Sequence, residues 1–474
     1  MKDIIRNYSL NFGYQIIVLL IPFISIPYLS RVLGPNNLGV ESFTTSLTSI
    51  FISIVNAGTI IYSTRQVAAL KSKKELLVTE VYNIVLFRFL LGLISIIIFI
   101  FIILHSKYLN IFLVQLVFLI ASTFLDCTWY FIGKENFKLV VLRNLVIKIV
   151  GLLLILQFVK NQNDLINYVW INAITVLIPN ISLLIPLFKE IGKPKRVYFS
   201  FRRLTELIGD IYPFFIMGII TQVYMNIDKI IVERNNLIYE LGVYSQFIKS
   251  YSVFLAPITA VGTILMPRIT TLIADKKEDS NKIIFFSSNF IFILCIPISL
   301  GLLSISNEFV SLFYGKEFSE YLLLFQLGII LIFTGSLSNI VVQQVIYPNK
   351  LEKIYNFALT ISSIFRIILI IAFINIVGIY GPLIAYIMSE FALMSISIYK
   401  TKKYIDIFKI IINFNNLKIV IAGIVMFFII NLVHQNLMSL KIIIGAVVYI
   451  FMLYILKENL SVKITNHITP FLKR

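Results

Sequence analysis

Residues 38–75 read LGVESFTTSLTSIFISIVNAGTIIYSTRQVAALKSKKE, and residues 241–278 read LGVYSQFIKSYSVFLAPITAVGTILMPRITTLIADKKE. The two stretches align without a gap at a shift of 203 residues, and twelve of their 38 positions are identical. The identities include Gly39 with Gly242 and Arg65 with Arg268, which shared apolar composition does not explain. The alignment therefore predicts an internal repeat, and the apolar character of both stretches indicates that the repeat is built on membrane-spanning helices.

The composition of the whole chain indicates a membrane protein. Of the 474 residues, 59% are hydrophobic and only 14% are charged, whereas soluble domains are about 45–50% apolar and about 25% charged. This composition excludes a disordered protein and argues against a water-soluble enzyme. The two cysteines, Cys127 and Cys295, exclude a disulfide scaffold, and the three histidines are too far apart for zinc-ligand spacing.

Fourteen apolar runs are long enough to cross a bilayer, since a spanning helix needs about 20 residues. The runs are approximately 9–30, 40–62, 80–104, 109–132, 140–159, 165–188, 211–232, 243–266, 283–305, 321–345, 354–375, 378–399, 416–433 and 440–456. Six spans separate the two aligned stretches, so both copies have the same orientation. The predicted fold is an all-α polytopic membrane protein of about 14 transmembrane helices, with two six-helix lobes related by a parallel repeat plus two C-terminal helices.

The predicted domain boundaries follow from these spans. We expect an N-terminal lobe at 1–190, a basic cytoplasmic linker at 191–210, a C-terminal lobe at 211–403, and two additional helices with a cytoplasmic tail at 404–474. In transporters built from parallel repeats, the substrate site lies between the halves near the membrane midplane.

The net charge of +18 is explained by the predicted topology. With both termini in the cytoplasm, thirty Lys and Arg residues fall on the cytoplasmic side, six on the outer side and five within spans. Cytoplasmic loops of membrane proteins carry an excess of Lys and Arg. The bias therefore predicts a multi-pass protein with cytoplasmic termini, and nucleic-acid binding is not needed to explain the basicity.

Several motifs follow one another in an order typical of one transporter family. They are YLSRVLGPNNLG at 28–39, AG at 57–58 with RQVA at 65–68, DCTWYFIGKENFK at 126–138, NIDK at 226–229, MPR at 266–268, YP at 347–348 and GIYG at 378–381. Together these motifs resemble the polysaccharide (O-antigen and capsule) repeat-unit flippases of the multidrug/oligosaccharidyl-lipid/polysaccharide exporter superfamily.

The resemblance implies a transporter and no enzymatic activity. It implies that an undecaprenyl-diphosphate-linked oligosaccharide moves from the cytoplasmic to the outer leaflet of the bacterial cytoplasmic membrane, by alternating access, for synthesis of capsule, exopolysaccharide or O-antigen-type polymer. No cofactor is expected; H⁺, Na⁺ or the membrane potential would supply the energy. Polysaccharide polymerase and glycosyltransferases are the protein partners that such a pathway implies.

Charged side chains at membrane depth are the predicted site residues, because insertion costs about 2.5–3.5 kcal/mol and such groups normally face a cavity or a partner. The basic residues predicted to contact the anionic diphosphate or its sugars are Arg31, Arg65, Arg88, Lys148, Lys249, Arg268 and Arg366. The acidic residues predicted to serve ion coupling or charge pairing are Asp126, Asp228 and Glu390. The competing interpretations are snorkelling to the headgroups, ordinary anchoring, and an Arg366–Glu390 pair. Trp129 and Tyr130 are expected to be anchors at the membrane interface, and the alternative is that they are stacking platforms for sugars.

Three other functions remain open from the sequence. A lipid II flippase would have the same span count and charge. A multidrug or cation antiporter of the same superfamily would need an acidic or apolar cavity, against which the basic excess argues. A membrane glycosyltransferase or polymerase would need a large polar loop, whereas no outer loop exceeds about fifteen residues.

Overall fold

The computed structural model describes residues 2–274, 279–402, 404–433 and 437–457, and within these ranges the regular structure is entirely helical. The α-helices are α1 (Lys2–Asn56), α2 (Thr59–Leu70), α3 (Lys74–Ile103), α4 (Leu109–Thr123), α5 (Thr128–Gly133), α6 (Phe137–Phe158), α7 (Leu165–Ile191), α8 (Phe201–Arg234), α9 (Ile238–Ala274), α10 (Asp279–Ser304), α11 (Ser306–Phe313), α12 (Leu322–Gly328), α13 (Ile330–Asn339), α14 (Glu352–Val377), α15 (Tyr380–Thr401), α16 (Ile407–Ile411), α17 (Phe414–Leu432) and α18 (Met438–Ile455). Short 3-10 helices occupy Gln162–Asp164, Arg196–Tyr198 and Lys316–Tyr321, and a π-helical segment occupies Ile340–Ile346.

Thirteen segments of the described chain are long and apolar enough to cross a membrane. The first, Leu20–Leu70, has 51 residues, which at about 1.5 Å per residue is more than twice the roughly 30 Å of a bilayer core. Its backbone leaves helical geometry at Gly34 (φ 72°, ψ 169°), a conformation that glycine adopts without steric cost. This segment therefore contains the second predicted span, 40–62, and the last part of the first, from residue 20 to residue 30. Each of the other twelve segments coincides with one predicted span, so the predicted fold class is confirmed.

The chain divides into two compact units, Met1–Ser245 and Gln246–Arg474. In the first unit, α1 packs against α3, α4, α6 and α8, α4 packs against α7, and α2 packs against α3 and α5. Its apolar core includes Tyr62, Trp129 and Leu183. The predicted lobe boundaries at 190 and 211 stay a prediction.

In the second unit, α14 and α15 pair, and α10 packs against α13 and α17. The C-terminal helices α17 and α18 pack on each other, and the Tyr449 hydroxyl of α18 donates to the carbonyl of Ile293 in α10 (3.1 Å). Lys441 of α18 also pairs with Glu308 of α11. Partial burial opposes ionisation of Glu308, but the hydrogen bond and the charge of Lys441, together with a backbone hydrogen bond, outweigh it and hold the pKa of this carboxyl below its ordinary value.

A reciprocal contact between two glycines gives physical support to the internal repeat. A Cβ atom added to Gly39 would overlap the carbonyl oxygen of Ile238, and one added to Gly242 would overlap that of Pro35. Pro35 and Ile238 are themselves 203 residues apart, like the two glycines. Gly39 therefore meets the equivalent of the residue that Gly242 meets. A two-fold axis produces reciprocal contacts of this kind. The starts of the second and eighth predicted spans therefore meet in the register that the alignment gives.

Candidate functional site

A cavity of about 560 Å³, whose exposed lining is more apolar than polar, lies within the first unit. Its polar lining residues are Ser49, Ser53 and Asn56 from α1, Ser122 from α4, Asp126 from the turn after α4, Asn180 from α7, and Thr221 and Gln222 from α8. Ile52, Phe118 and Val176 form apolar parts of the wall. The cavity therefore combines many uncharged hydrogen-bonding groups with apolar patches.

The wall formed by α1 follows directly from helical periodicity. Ser49, Ser53 and Asn56 recur at intervals of four and three residues, which places their side chains on one face of a helix. Asp126 is the sole charged side chain among the described residues that line the cavity. The lining is thus nearly neutral, and no lysine or arginine contributes to it directly.

The fourth predicted span is interrupted beside this cavity. Helix α4 ends at Thr123 and α5 begins at Thr128, so residues 124–127 are not helical. Non-helical backbone at membrane depth is tolerated only where protein or a water-filled cavity satisfies its polar groups. The carbonyl groups at the end of α4 therefore need donors from other elements.

Three side chains supply these donors to three consecutive carbonyls. The carbonyl of Ala121 accepts from Asn180 Nδ2 (2.9 Å), that of Ser122 from Asn56 Nδ2 (3.0 Å), and that of Thr123 from Arg88 Nη2 (3.0 Å). The donors lie on α7, α1 and α3, so the end of α4 is attached to three neighbouring helices. Asn56 and Asn180 also line the cavity, which couples the position of the break to the shape of the cavity wall.

Arg88 and Asp126 are brought together by this arrangement. The Arg88 guanidinium is buried (3% exposed), donates from Nη2 to Asn56 Oδ1 (2.9 Å) and lies 3.8 Å from the Asp126 carboxylate. Asp126 in turn accepts from the backbone N–H of Thr128 (2.9 Å), which begins α5. The pair therefore spans the break, and the Arg88 guanidinium is directed at protein acceptors.

The expected interfacial position of Trp129 and Tyr130 is wrong. Trp129 is 1% exposed and Tyr130 0%, because both pack into the apolar core of the first unit. The Trp129 indole N–H donates to the carbonyl of Asp126 (3.1 Å). The Asp126 motif thus fixes the broken span through the side chain of its first residue and the indole of its fourth.

A second group of charged residues joins α2, α3 and α8. Arg203 donates to both carboxylate oxygens of Glu80 (2.9 and 2.8 Å) and to the Tyr62 hydroxyl (2.6 Å). The Tyr62 hydroxyl lies 3.0 Å from Asp210 Oδ2, where it can donate. The sequence assigned Arg203 to membrane topology alone. In the structure it attaches the start of α8 to the two helices beside it.

We expect loss of the Arg203 guanidinium, which bonds both carboxylate oxygens of Glu80, to destabilise the first unit more than loss of the adjacent Arg202 guanidinium. Arg203→Gln leaves the nearly buried Glu80 without its bidentate partner, and charged hydrogen bonds are worth about 1.5–3 kcal/mol. Arg202→Gln is the matched control because the Arg202 side chain is 89% exposed and its ion pair, with Glu206, is one turn away, which is worth about 0.5 kcal/mol. Thermal unfolding in detergent measures the difference. Equal unfolding temperatures for the two variants would contradict a stabilising role for Arg203.

The remaining basic site candidates of the first unit lie at its surface and outside the cavity lining. Arg31 is exposed before the helix break at Gly34, and Lys148 is exposed on α6. Arg65 is exposed in the middle of α2, with its guanidinium carbon 5.2 Å from the ring centroid of Phe214 on α8. Each of these three side chains can therefore contact solvent, lipid or a ligand, and its predicted role in substrate binding stays a prediction.

Asp228 is the most deeply buried of the predicted acidic residues. It is 1% exposed on α8 and accepts a hydrogen bond from the Tyr244 hydroxyl of α9 (2.6 Å). Its predicted role in coupling or pairing stays a prediction.

The other four candidates belong to the second unit. Lys249 is half-buried and Arg268 exposed, both on α9, and Glu390 is half-buried on α15. Arg366 of α14 is 1% exposed, and its guanidinium carbon lies 3.8 Å from the ring centroid of Tyr386 on α15. Such cation–π stacking is strongest where the cation is desolvated. The predicted Arg366–Glu390 pairing stays a prediction.

The residues that the sequence reasoning missed are the uncharged ones. Asn56, Asn180, Thr221 and Gln222 line the cavity, but the search was restricted to ionisable groups. The signal that could have found the α1 wall is the spacing of Ser49, Ser53 and Asn56 within an apolar span.

Comparison with known proteins gives consistent matches. A family model described as polysaccharide biosynthesis protein matches residues 4–273. A putative O-antigen transporter of Shigella dysenteriae is 25% identical over 381 residues, which cover 78% of this chain and 93% of the relative. The lipid II flippase MurJ in an inward closed conformation superposes with a TM-score of 0.69 at 18% identity, over 96% of this chain and 99% of the other. A eukaryotic MATE transporter gives a TM-score of 0.54 at 13% identity, over 81% and 90%.

Proposed function

Because the chain belongs to the polysaccharide biosynthesis protein family, we propose that it is a flippase for an undecaprenyl-diphosphate-linked oligosaccharide repeat unit. The fold is that of lipid II flippases and MATE transporters. The relatives are named as transporters and flippases, which supports the prediction that the chain is not an enzyme. The transported unit would pass from the cytoplasmic to the outer leaflet of the bacterial cytoplasmic membrane.

The observation that supports this proposal is the set of uncharged hydrogen-bonding side chains that line the 560 Å³ cavity between apolar patches. Ser, Thr, Asn and Gln side chains offer both donors and acceptors, which are the groups that sugar hydroxyls require. The volume falls in the range of about 300–1,000 Å³ that is common for ligand sites. The uncharged hydrogen-bonding groups suit the hydroxyls of a sugar.

A cation antiporter is the weaker alternative, because the cavity offers little negative charge to a cation. Asp126, the single carboxylate lining the cavity, already has the Arg88 guanidinium 3.8 Å away. A lipid II flippase would suit the cavity chemistry as well, because lipid II is also a sugar on a lipid diphosphate. The family match to polysaccharide biosynthesis favours the repeat unit.

We assign contact with the diphosphate first to Arg65, because the cavity lining has no cation of its own. Arg65 lies over Phe214, and Phe214 is four residues, about one helical turn, before the cavity residue Gly218 on α8. An exposed guanidinium at this place can bind a phosphate bidentately. Contacts from Arg31, Lys148, Lys249, Arg268 and Arg366 belong to the same proposal.

The proposal also covers the energy source for transport, the orientation of the chain in the membrane and its protein partners. Transport would proceed by alternating access of the two predicted lobes, with Asp228 or Glu390 serving a coupling H⁺ or Na⁺, or with the membrane potential as the source. Both termini would be cytoplasmic. Glycosyltransferases would supply the lipid-linked unit, and a polysaccharide polymerase would consume it.

Replacing polar cavity side chains by apolar ones tests the proposal in cells. We expect the double variant Thr221→Val/Gln222→Leu to reduce surface polysaccharide about tenfold or more, since each lost hydrogen bond costs about 0.5–1.5 kcal/mol. The lipid-linked repeat unit should accumulate. Thr205→Val on the same helix is the control, because its exposed hydroxyl, like that of Thr221, bonds only a carbonyl of its own helix. Normal surface polymer in a stably expressed double variant would contradict the proposal.

A further inference from the structure

A second, largely apolar pocket of about 230 Å³ borders Asp126 in the first unit. Its walls include Leu184 of α7, the buried Trp129 and, on one side, the buried Arg88 that pairs with Asp126. At its rim, Val85, Phe89 and Phe188 are 38%, 46% and 45% exposed. In a chain that spans the membrane, exposed apolar side chains within the spanning helices face lipid. The pocket therefore opens toward the hydrocarbon of the bilayer.

A basic segment is attached at one end of this pocket. Helix α7 ends at Ile191, which lines the pocket, and the chain turns at Gly192 with φ 82°, a conformation that favours glycine. The Gly192 carbonyl accepts a hydrogen bond from Tyr82 (2.6 Å), and Tyr82 also lines the pocket. The linker thus begins at the mouth of the pocket.

The rest of the linker is held against α3. The Asn83 side-chain amide donates to the carbonyl of Tyr198 (2.8 Å) and its oxygen accepts from the backbone N–H of Ser200 (3.0 Å). The rings of Tyr82 and Tyr198 stack in parallel with centroids 5.4 Å apart. The linker is therefore a positioned surface, although the sequence predicted only a basic connection between lobes.

The charge of this surface is strongly positive. Its cations are Lys189, Lys193, Lys195 and Arg196, all exposed. Between residues 187 and 200 the sequence has one acidic residue, Glu190, and its carboxylate pairs with Lys134 (2.7 Å). Val197, between these cations and Tyr198, is an apolar side chain with 80% exposure. Exposed cations next to exposed apolar groups match the chemistry of a phosphate-bearing membrane surface.

We propose that the pocket and the linker together form a binding site for an anionic phospholipid of the leaflet predicted to be cytoplasmic. One acyl chain occupies the pocket between α3 and α7, and the phosphate lies on the cations of residues 189–196. Basic pockets between spanning helices on the cytoplasmic side are a known way to hold anionic headgroups. The site adjoins the 560 Å³ cavity, because Asp126 lines both, but it does not depend on what the protein transports.

The fluorescence of Trp129 can report lipid binding at this site. It has two tryptophans; Trp129 is 1% exposed and lines the pocket, whereas Trp170 is 41% exposed. In the full-length Trp170→Phe variant, an acyl chain brominated at mid-chain can quench fluorescence only by entering the pocket beside Trp129. Vesicles containing brominated phosphatidylglycerol are compared with vesicles containing brominated phosphatidylcholine at the same mole fraction.

We expect phosphatidylglycerol to quench Trp129 at least about threefold more strongly than phosphatidylcholine at low salt. The preference should disappear in Lys193→Gln/Lys195→Gln/Arg196→Gln, and persist in Lys350→Gln/Lys353→Gln/Lys402→Gln, which removes three exposed cations elsewhere. Val85→Phe, which narrows the rim, should reduce quenching by both lipids.

Two results would overturn the proposal. The first is equal quenching by the two lipids, or a preference that survives loss of the linker cations. The second is displacement of brominated phosphatidylglycerol by a small mole fraction of undecaprenyl phosphate, which would make the pocket a site for the carrier lipid. Neither result bears on the sugar cavity, so failure here leaves the proposed transport function standing.

Discussion

Arg88→Ala is expected to unfold or severely destabilise the first unit. The substitution removes the donor to the Thr123 carbonyl and to Asn56 Oδ1, and it leaves the Asp126 carboxylate without the guanidinium. Removing one partner of a buried charged pair costs about 3–5 kcal/mol. We expect a large fall in folded protein extracted from membranes and in the thermal unfolding temperature.

Two variants make this prediction specific. Arg88→Lys keeps the charge but not the planar fork, so its stability should lie between those of Arg88→Ala and the unsubstituted protein. Lys148→Ala removes an exposed cation from helix α6 and should leave stability nearly unchanged. If Arg88→Ala instead folded normally and lost only transport, Arg88 would act on the substrate, as the sequence alone suggested.

Gly39→Ala and Gly242→Ala are expected to have large and equal effects. In each variant the new methyl group would overlap a backbone carbonyl, that of Ile238 or of Pro35. A backbone carbonyl cannot rotate away as a side chain can, so the two helix starts must separate. Overpacking usually costs about 1–3 kcal/mol, and we expect the upper part of this range or more.

Gly209→Ala is the matched control for these two variants. Gly209 lies in α8, and a Cβ atom there would meet nothing within 4 Å, so the change should be neutral or stabilise by about 0.5–1 kcal/mol. Thermal unfolding of the three variants in one detergent provides the comparison. A variant pair in which Gly39→Ala is tolerated and Gly242→Ala is not would contradict the two-fold contact.

The fold was predictable because its signals are local or repeated. Apolar run length identifies each span, and the identity of Gly39 with Gly242 gave the register in which their helices meet. The first helix break, at Gly34, lies between the predicted spans 9–30 and 40–62.

The candidate site was only partly predictable, because its chemistry depends on tertiary contacts. Arg88 and Asp126 were both selected from the sequence, but their meeting across the break in the fourth span was not foreseen. The neutral residues Asn56 and Asn180 carry no charge signal, although both line the cavity and hold the end of α4. Arg203 was assigned to topology because nothing in the sequence places Glu80 beside it.

The most direct measurement of the central claim uses purified protein in sealed vesicles. An undecaprenyl-diphosphate-linked oligosaccharide is placed in one leaflet, and a membrane-impermeant sugar-modifying reagent reports its arrival in the other. The account predicts protein-dependent transfer that is retained in Thr205→Val and reduced about tenfold or more in Thr221→Val/Gln222→Leu. Transfer no faster than in protein-free vesicles, or equal transfer by the two variants, would contradict it.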